Sequence, residues 1–195
     1  MNRLCDLILS TFAIIITFPF WIVITLLILI FTPGSPFFVH ERIGRNGSRF
    51  GLIKFRTMKT NNSGPQVTVA GDSRVTSIGR ILRALKLDEL PQLLNVFVGQ
   101  MAIVGPRPEA PEYVHRYSSG QKRILDYRPG LVDPATLKYR DEEEILAGYD
   151  NPQEAYLNNI LPDKIEISLE YQKKRNLRTD LGIIYKTIAA IFRGR

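Results

Sequence analysis

The sequence predicts an α+β chain, mostly α, in two parts: an apolar helical segment in the membrane over 1–36 and a polar domain over 37–195. Three observations carry this expectation. Leu7 to Val39 is a run of 33 residues without a formal charge. Two extended patterns, Phe37–Arg42 and Phe50–Arg56, flank Gly44-Arg45-Asn46-Gly47, as in a β-hairpin. Further on, apolar residues recur at helical spacing in several separate stretches.

The apolar run comes first in the chain. As one straight helix it would be about 50 Å long, well beyond a hydrocarbon core of ~30 Å. Pro19 lies near its middle. Proline lacks the N–H that a helix interior needs, so a kink or break is expected there. The halves Leu7–Phe18 and Phe20–Phe31 are about 18 Å each, too short to span alone. Two readings follow: one kinked transmembrane helix, or a re-entrant hairpin that returns to the face it entered. Thr17 is the nearest hydroxyl for a carbonyl freed at the break. The run is too long for a cleavable signal peptide, and no small-residue cleavage site follows it. Arg3 precedes it, and Arg42, Arg45, Arg49 and Lys54 follow. The larger basic excess lies after the run, which places the polar domain in the cytoplasm.

Pro33-Gly34-Ser35-Pro36 ends the run, and the hairpin follows. Residues 59–73, rich in Gly, Asn and Ser, read as a loop. Val75, Ile78, Ile81, Leu82 and Leu85 define a helix with basic residues on its other faces. Asp88-Glu89-Leu90-Pro91 reads as a helix start, Asp88 as N-cap and proline in the first turn, with the helix ending at Gly99. Gly105-Pro106-Arg107-Pro108 reads as a rigid turn. Short helices are expected at 111–117 and 121–127, ended by Arg128-Pro129-Gly130. Two more, at 152–160 and 163–174, flank Pro162. The tail from Thr179 to Phe192 is amphipathic, with Leu181, Ile184, Ile188, Ile191 and Phe192 on one face. Such a helix packs on a core or lies on a membrane.

The chain has 195 residues, 45 % of them hydrophobic and 23 % charged, with a net charge of +7. The basic excess sits in residues 1–140, whereas 141–195 is acidic on balance, with Asp141–Glu144 as an acidic patch. Phosphorylated ligands, anionic lipid and nucleic acid all suit that charge. A single cysteine, Cys5, excludes an internal disulfide and a cysteine metal cluster. There is no Walker A loop, dinucleotide fingerprint or zinc-protease motif. Two histidines do not make a His-rich metal site, and no nucleic-acid-binding signature is present.

The pair Asp88-Glu89 stands out chemically. Adjacent carboxylates repel, so each requires a cation or a hydrogen bond. At a helix N-terminus the peptide dipoles favour the ionised form. An ionised, positioned carboxylate attacks phosphorus or holds Mg²⁺; a plain capping aspartate is the competing reading. Arg83 lies five residues earlier, Arg107 sits between two prolines, and Lys54 and Arg56 follow the hairpin. Arginine grips phosphate with a planar fork; solvated surface charge is the alternative for each of these residues.

These residues resemble a known family. Arg80-Ile-Leu-Arg83-Ala-Leu-Lys-Leu-Asp88-Glu89-Leu-Pro91-Gln92-Leu, followed by Val104-Gly105-Pro106-Arg107-Pro108-Glu109, is similar to the monotopic bacterial polyprenyl-phosphate phosphoglycosyl transferases, the small bacterial sugar transferases. Lys54-Phe55-Arg56-Thr57-Met58, Arg128-Pro129-Gly130, and the N-terminal set Arg3, Asp6 and Pro19 match further family motifs. The resemblance covers roughly 1–130, with a weaker echo over 177–187. It departs at Phe18, Lys86 and Gln100, where serine, serine and aspartate are usual, and again over Leu131–Thr136, a stretch often linked to substrate recognition.

The resemblance implies transfer of a phosphosugar from a UDP-sugar to undecaprenyl phosphate, with release of UMP and a need for Mg²⁺. It implies Asp88 as the nucleophile, forming a phosphosugar–aspartyl intermediate, and Glu89 as its partner in metal binding or lipid-phosphate activation. It implies Arg83, Arg107, Lys54, Arg56 and Arg128 as the phosphate-binding set. It also favours a re-entrant membrane helix broken at Pro19, a cytoplasmic helical catalytic domain with amphipathic interface helices, and residence in the bacterial inner membrane. Membrane lipids are implied partners, a homodimer is compatible with the size, and no nucleic acid is expected. The task implied is the first membrane step of capsule, exopolysaccharide, O-antigen or glycoprotein glycan synthesis. A catalytically inactive, membrane-anchored assembly factor is the alternative.

Overall fold

In a computed structural model, residues 2–59 and 67–192 are described. Helix α1 covers Arg3–Phe31. Strands β1 (Phe37–Ile43) and β2 (Arg49–Phe55) form an antiparallel hairpin, with Phe37 opposite Phe55 and Ile43 opposite Arg49. Its turn uses Asn46 and Gly47, both at positive φ. The expected loop over 59–73 lies partly outside the described residues.

The chain continues through α2 (Ser77–Ala84), a 3₁₀ turn at Leu87–Glu89, α3 (Gln92–Val98), β3 (Ala102–Val104), α4 (Pro111–Val114) and a 3₁₀ stretch at Gln121–Asp126. Then come β4 (Gly130–Val132), α5 (Pro134–Lys138), α6 (Glu142–Ala147), α7 (Pro152–Ala155), α8 (Leu161–Lys174) and α9 (Leu177–Phe192). The helical majority with small sheets agrees with the sequence expectation.

Pro19 does not divide α1. One helix of 29 residues runs through it. A proline removes one main-chain donor, and the flanking turns keep theirs. Thr17 does not serve the carbonyl that Pro19 leaves free. Its Oγ1 donates to Ala13 O at 2.7 Å and accepts from Trp21 Nε1 at 3.1 Å.

One stripe of α1 faces the domain. Asp6, Ser10, Trp21, Ile24 and Ile28 are buried, with Ala13 and Ile14 partly so, at the three-and-four spacing of one helix face. The opposite face, including Phe12, Ile16, Phe20, Val23 and Ile30, is exposed and apolar.

Both ends of α1 are tied to the same domain. Arg3 donates to the carbonyls of Val96 and Phe97, closing the end of α3, and Asp6 Oδ1 accepts from Ile103 N at 3.0 Å. At the far end Arg56 donates to the carbonyls of Thr32 and Pro33, each at 2.8 Å, and of Gly34 at 3.3 Å. Trp21 meets Phe55 edge to face with ring centroids 6.0 Å apart.

Two buried clusters result. The first joins Trp21, Ile24 and Ile28 of α1 to the hairpin, Leu82, Leu93, Val96 and the β3 region. The second gathers Ala110, Tyr113, Tyr117, Ile124, Leu146, Tyr156, Ile160 and Ile165. Strands β3 and β4 pair in parallel beside the first cluster. There Gly105 and Gly130 approach so closely that a Cβ on Gly130 would lie 2.1 Å from Gly105 N. Two sequence motifs, Gly105–Pro108 and Arg128–Gly130, thus meet backbone to backbone, where only glycine fits.

Pro162 does not separate two helices as expected. It sits in the first turn of α8, where its missing donor costs little, and a π-turn at Tyr156–Ile160 joins α7 to α8. The amphipathic tail is helical, but its apolar residues divide between two faces. Ile183 and Ile184 pack on the first cluster, whereas Leu181, Tyr185 and Ile188 are exposed.

Candidate active site

The local backbone sets the acidic pair. Lys86 takes a left-handed conformation (φ 56°, ψ 20°), which turns the chain out of α2 into the 3₁₀ turn that carries Asp88 and Glu89. Asp88 is therefore not the N-cap of α3. That helix begins at Gln92 with Pro91 before it, and Asp88 makes no capping bond. The bend at Lys86 inserts a separate turn between the acidic pair and the helix that the sequence joined to it.

The two carboxylates face different surroundings. Glu89 is held by two cations. Lys54 Nζ, at the end of β2, lies 3.0 Å from Oε1. Arg107, after β3, places Nη1 3.1 Å from Oε2 and Nη2 on Oε1. Burial alone would raise the Glu89 carboxyl, but Arg107 and Lys54 outweigh it and hold it well below the usual range. Burial lowers Lys54, against the opposing pull of Glu89. Burial also opposes the charge on Arg107, yet Glu89 keeps that guanidinium firmly protonated.

Asp88 is only 7 % exposed, and its Oδ1 is buried without a hydrogen-bond partner. Burial pushes its carboxyl above the usual value and Glu89 adds to this; Lys54, Arg83 and Lys86 pull it back. The ionised form that helix dipoles were expected to favour is thus carried by Glu89, where the cations outweigh burial, whereas at Asp88 burial prevails. A carboxylate with little solvation is a stronger nucleophile, and the surrounding cations hold its charge.

The basic residues divide. Lys54 and Arg107 contact the pair directly. Arg83 acts on Asp88 through its charge, with Nε on Thr57 Oγ1 at 3.0 Å and Nη1 on Glu143 Oε1 at 2.7 Å. Arg56 is not placed with them. It lies just past the end of β2, and its guanidinium is taken up by the carbonyls that close the end of α1. Arg128 makes no side-chain hydrogen bond or ion pair among the described residues; its carbonyl backs the Gly105 turn. Pro19 lies exposed in the middle of α1.

Behind Arg107 lies a small cavity of about 20 Å³, lined by Pro106, Glu109, Asp133, Lys164 and Ser168 among others. Asp133 is 3 % exposed and accepts from Ser168 Oγ at 2.7 Å. Lys164 Nζ reaches Glu142 Oε2 at 2.7 Å. The sequence marked Glu142 and Glu143 only as members of an acidic patch; their cation partners lie 22 and 60 residues away and leave no local signal.

No group of three or more His, Cys, Asp or Glu suited to a metal comes together among the described residues. Both Glu89 oxygens are engaged, so the Asp88 carboxylate, whose buried Oδ1 has no hydrogen-bond partner, is the ligand that the pair can offer. A single carboxylate suits a Mg²⁺ ion that takes its other ligands from water and substrate phosphates.

The family model described as bacterial sugar transferase matches residues 1–194. The exopolysaccharide production protein ExoY of Sinorhizobium fredii is 32 % identical over 97 % of this chain and 84 % of its own length. A UDP-glucose:undecaprenyl-phosphate glucose-1-phosphate transferase of Caulobacter vibrioides is 34 % identical over 97 % of this chain and 69 % of its own. A UDP-N-acetylgalactosamine-undecaprenyl-phosphate N-acetylgalactosaminephosphotransferase of Aeromonas hydrophila is 33 % identical over all of this chain and 44 % of its own.

Proposed function

The chain belongs to the bacterial sugar transferase family, and from that premise we propose that it transfers a sugar 1-phosphate from a UDP-sugar to undecaprenyl phosphate, releasing UMP. The observation that carries this reading is the division of labour in the acidic pair. Asp88 keeps a buried oxygen without a partner while Glu89 absorbs Lys54 and Arg107. Relatives named for this reaction use glucose in one case and N-acetylgalactosamine in another, so their names leave the sugar open. Relatives named for exopolysaccharide production support a place at the first membrane step of such a glycan.

In the proposed mechanism Asp88 attacks the β-phosphorus of the UDP-sugar. An aspartyl O–P bond forms as the bond from that phosphorus to the bridging oxygen breaks, and UMP leaves with the oxygen. An oxygen of the lipid phosphate then attacks the same phosphorus. The aspartyl O–P bond breaks, the carboxylate returns, and undecaprenyl-diphosphate-sugar is the product. Two half-reactions suit a water-soluble donor and a lipid acceptor that need not meet. Arg107 and Lys54, held beside Asp88 by Glu89, would stabilise the charge that develops on the transferring phosphoryl group. The Asp88 carboxylate would hold Mg²⁺ together with the diphosphate, and Glu89 would join only by yielding a cation partner. When bound, the ion would neutralise charge on the diphosphate.

A monotopic, re-entrant placement of α1 is supported by its two anchored ends. Arg3 and the carbonyls after Phe31 are held by one and the same domain. A helix that crossed the bilayer would carry Arg3 away from the face where that domain sits. The exposed apolar face of α1 is the part available to lipid. In this reading the domain lies on the cytoplasmic face of the inner membrane.

The test is UMP release from a panel of UDP-hexoses and UDP-N-acetylhexosamines, with Mg²⁺ and undecaprenyl phosphate, by the purified full chain. Release with at least one donor, abolished in Asp88→Asn, is expected. No release with any donor, or full activity in Asp88→Asn, would overturn the proposal.

A further inference from the structure

Among the described residues, Arg83 is the cation around Asp88 whose side chain is fixed by groups outside the acidic pair. Its Nε is held by Thr57 Oγ1 at 3.0 Å and its Nη1 by Glu143 Oε1 at 2.7 Å. The Glu143 carboxylate arrives from α6, 60 residues further along the chain. Its backbone is anchored independently. Glu143 O accepts from Ala70 N at 3.0 Å, Glu142 pairs with Lys164 at 2.7 Å, and Leu146, one turn on, is fully buried in the second cluster. Asp72, whose carboxylate also feels Arg83, is already gripped by Arg74.

We propose that Glu143 is a positioning residue for the transferase reaction, fixing Arg83 so that the rest of its guanidinium is directed at the phosphoryl group on Asp88. The inference rests on the function proposed above and names a member of the site that lies outside the motifs around it. An arginine has five N–H donors, and two fixed bonds leave the remaining edge free in a set direction. A guanidinium without those bonds spreads over several rotamers, and a misplaced charge stabilises the transition state less. Glu143 also ties the second buried cluster, through α6, to the nucleophile's neighbour. The side chain is 38 % exposed, so its removal leaves no hole in a core.

The test is steady-state UMP release by the full chain with its preferred UDP-sugar, using Glu143→Ala, Glu143→Gln, Arg83→Ala and the double variant. Glu143→Ala is expected to lower kcat about tenfold with KM within about twofold, and Glu143→Gln to fall between it and the wild type. In the Arg83→Ala background, Glu143→Ala is expected to add no further loss, since it acts through that arginine. Unchanged kcat in Glu143→Ala, or a full additional loss in the double variant, would overturn the role. A lower KM in Glu143→Ala would also overturn it, making the carboxylate a competitor for the phosphate site. A wild type inactive on every donor would instead defeat the transferase reading itself.

Discussion

Arg107 and Glu89 meet fork to fork, with Nη1 3.1 Å from Oε2 and Nη2 on Oε1, while the neighbouring Asp88 Oδ1 stays without a partner. A lysine at 107 keeps the charge but loses the planar fork. Arg107→Lys is therefore expected to lower kcat by about a hundredfold in the UMP-release assay. Activity within a factor of two of wild type would separate the fork from catalysis.

The same pair makes stability depend on pH. Glu89 lies well below its ordinary value of 4.5 in the folded chain. A depressed carboxyl contributes stability above the unfolded value and loses it as the pH falls through the folded one. Denaturant unfolding of the wild type is expected to weaken below pH 4.5, and Glu89→Gln to show a shallower acid loss. Parallel acid limbs for the two proteins would contradict the assignment.

Asp133 behaves oppositely. Burial pushes its carboxyl up to about 6, although Ser168 opposes this. The Ser168 hydroxyl donates to Asp133 Oδ2 at 2.7 Å, which does not offset the burial of the charge. With a raised folded value, stability is full below the ordinary 3.8 and falls as pH rises through about 6. Asp133→Asn keeps an acceptor for Ser168, removes the buried charge, and is expected to be about 2 kcal/mol more stable than wild type at pH 8, read by urea unfolding. A less stable variant at that pH would contradict it.

Lys86 occupies a left-handed conformation that costs a side chain roughly 1 kcal/mol, and it also pulls Asp88 and Glu89 toward their ionised forms. Lys86→Gly relieves the strain and removes the charge. Stability is expected to rise by about 0.5–1 kcal/mol. The acid limb of the pH–rate profile is expected to move upward, because Asp88 then ionises less readily. An unchanged profile would exclude Lys86 from the electrostatics of the pair.

Much of the frame was legible locally. The hairpin followed from alternation around Gly44–Gly47, and α2 from helical spacing between Val75 and Leu85. Contacts made at long range were not legible. The left-handed turn at Lys86 moved Asp88 out of its expected capping position, although lysine gives no local hint of that turn. Pro19 and Pro162 were read as breaks, but each costs a helix only one donor, and the neighbouring turns were already held by packing. Arg56 stood beside Lys54 in the sequence, yet its partners are carbonyls more than twenty residues earlier, at the end of α1, and leave no local signal. Glu143 was one glutamate in an acidic run until the fold set it against Arg83.

In the proposed mechanism Asp88 carries the phosphosugar between the two half-reactions. The most direct test of this is the mass of the intact protein after incubation with UDP-sugar and Mg²⁺ in the absence of undecaprenyl phosphate. An added sugar phosphate is expected on the peptide containing Asp88, lost when the lipid phosphate is supplied and absent in Asp88→Asn. A chain that releases UMP only when both substrates are present, with no adduct at any time, would contradict it.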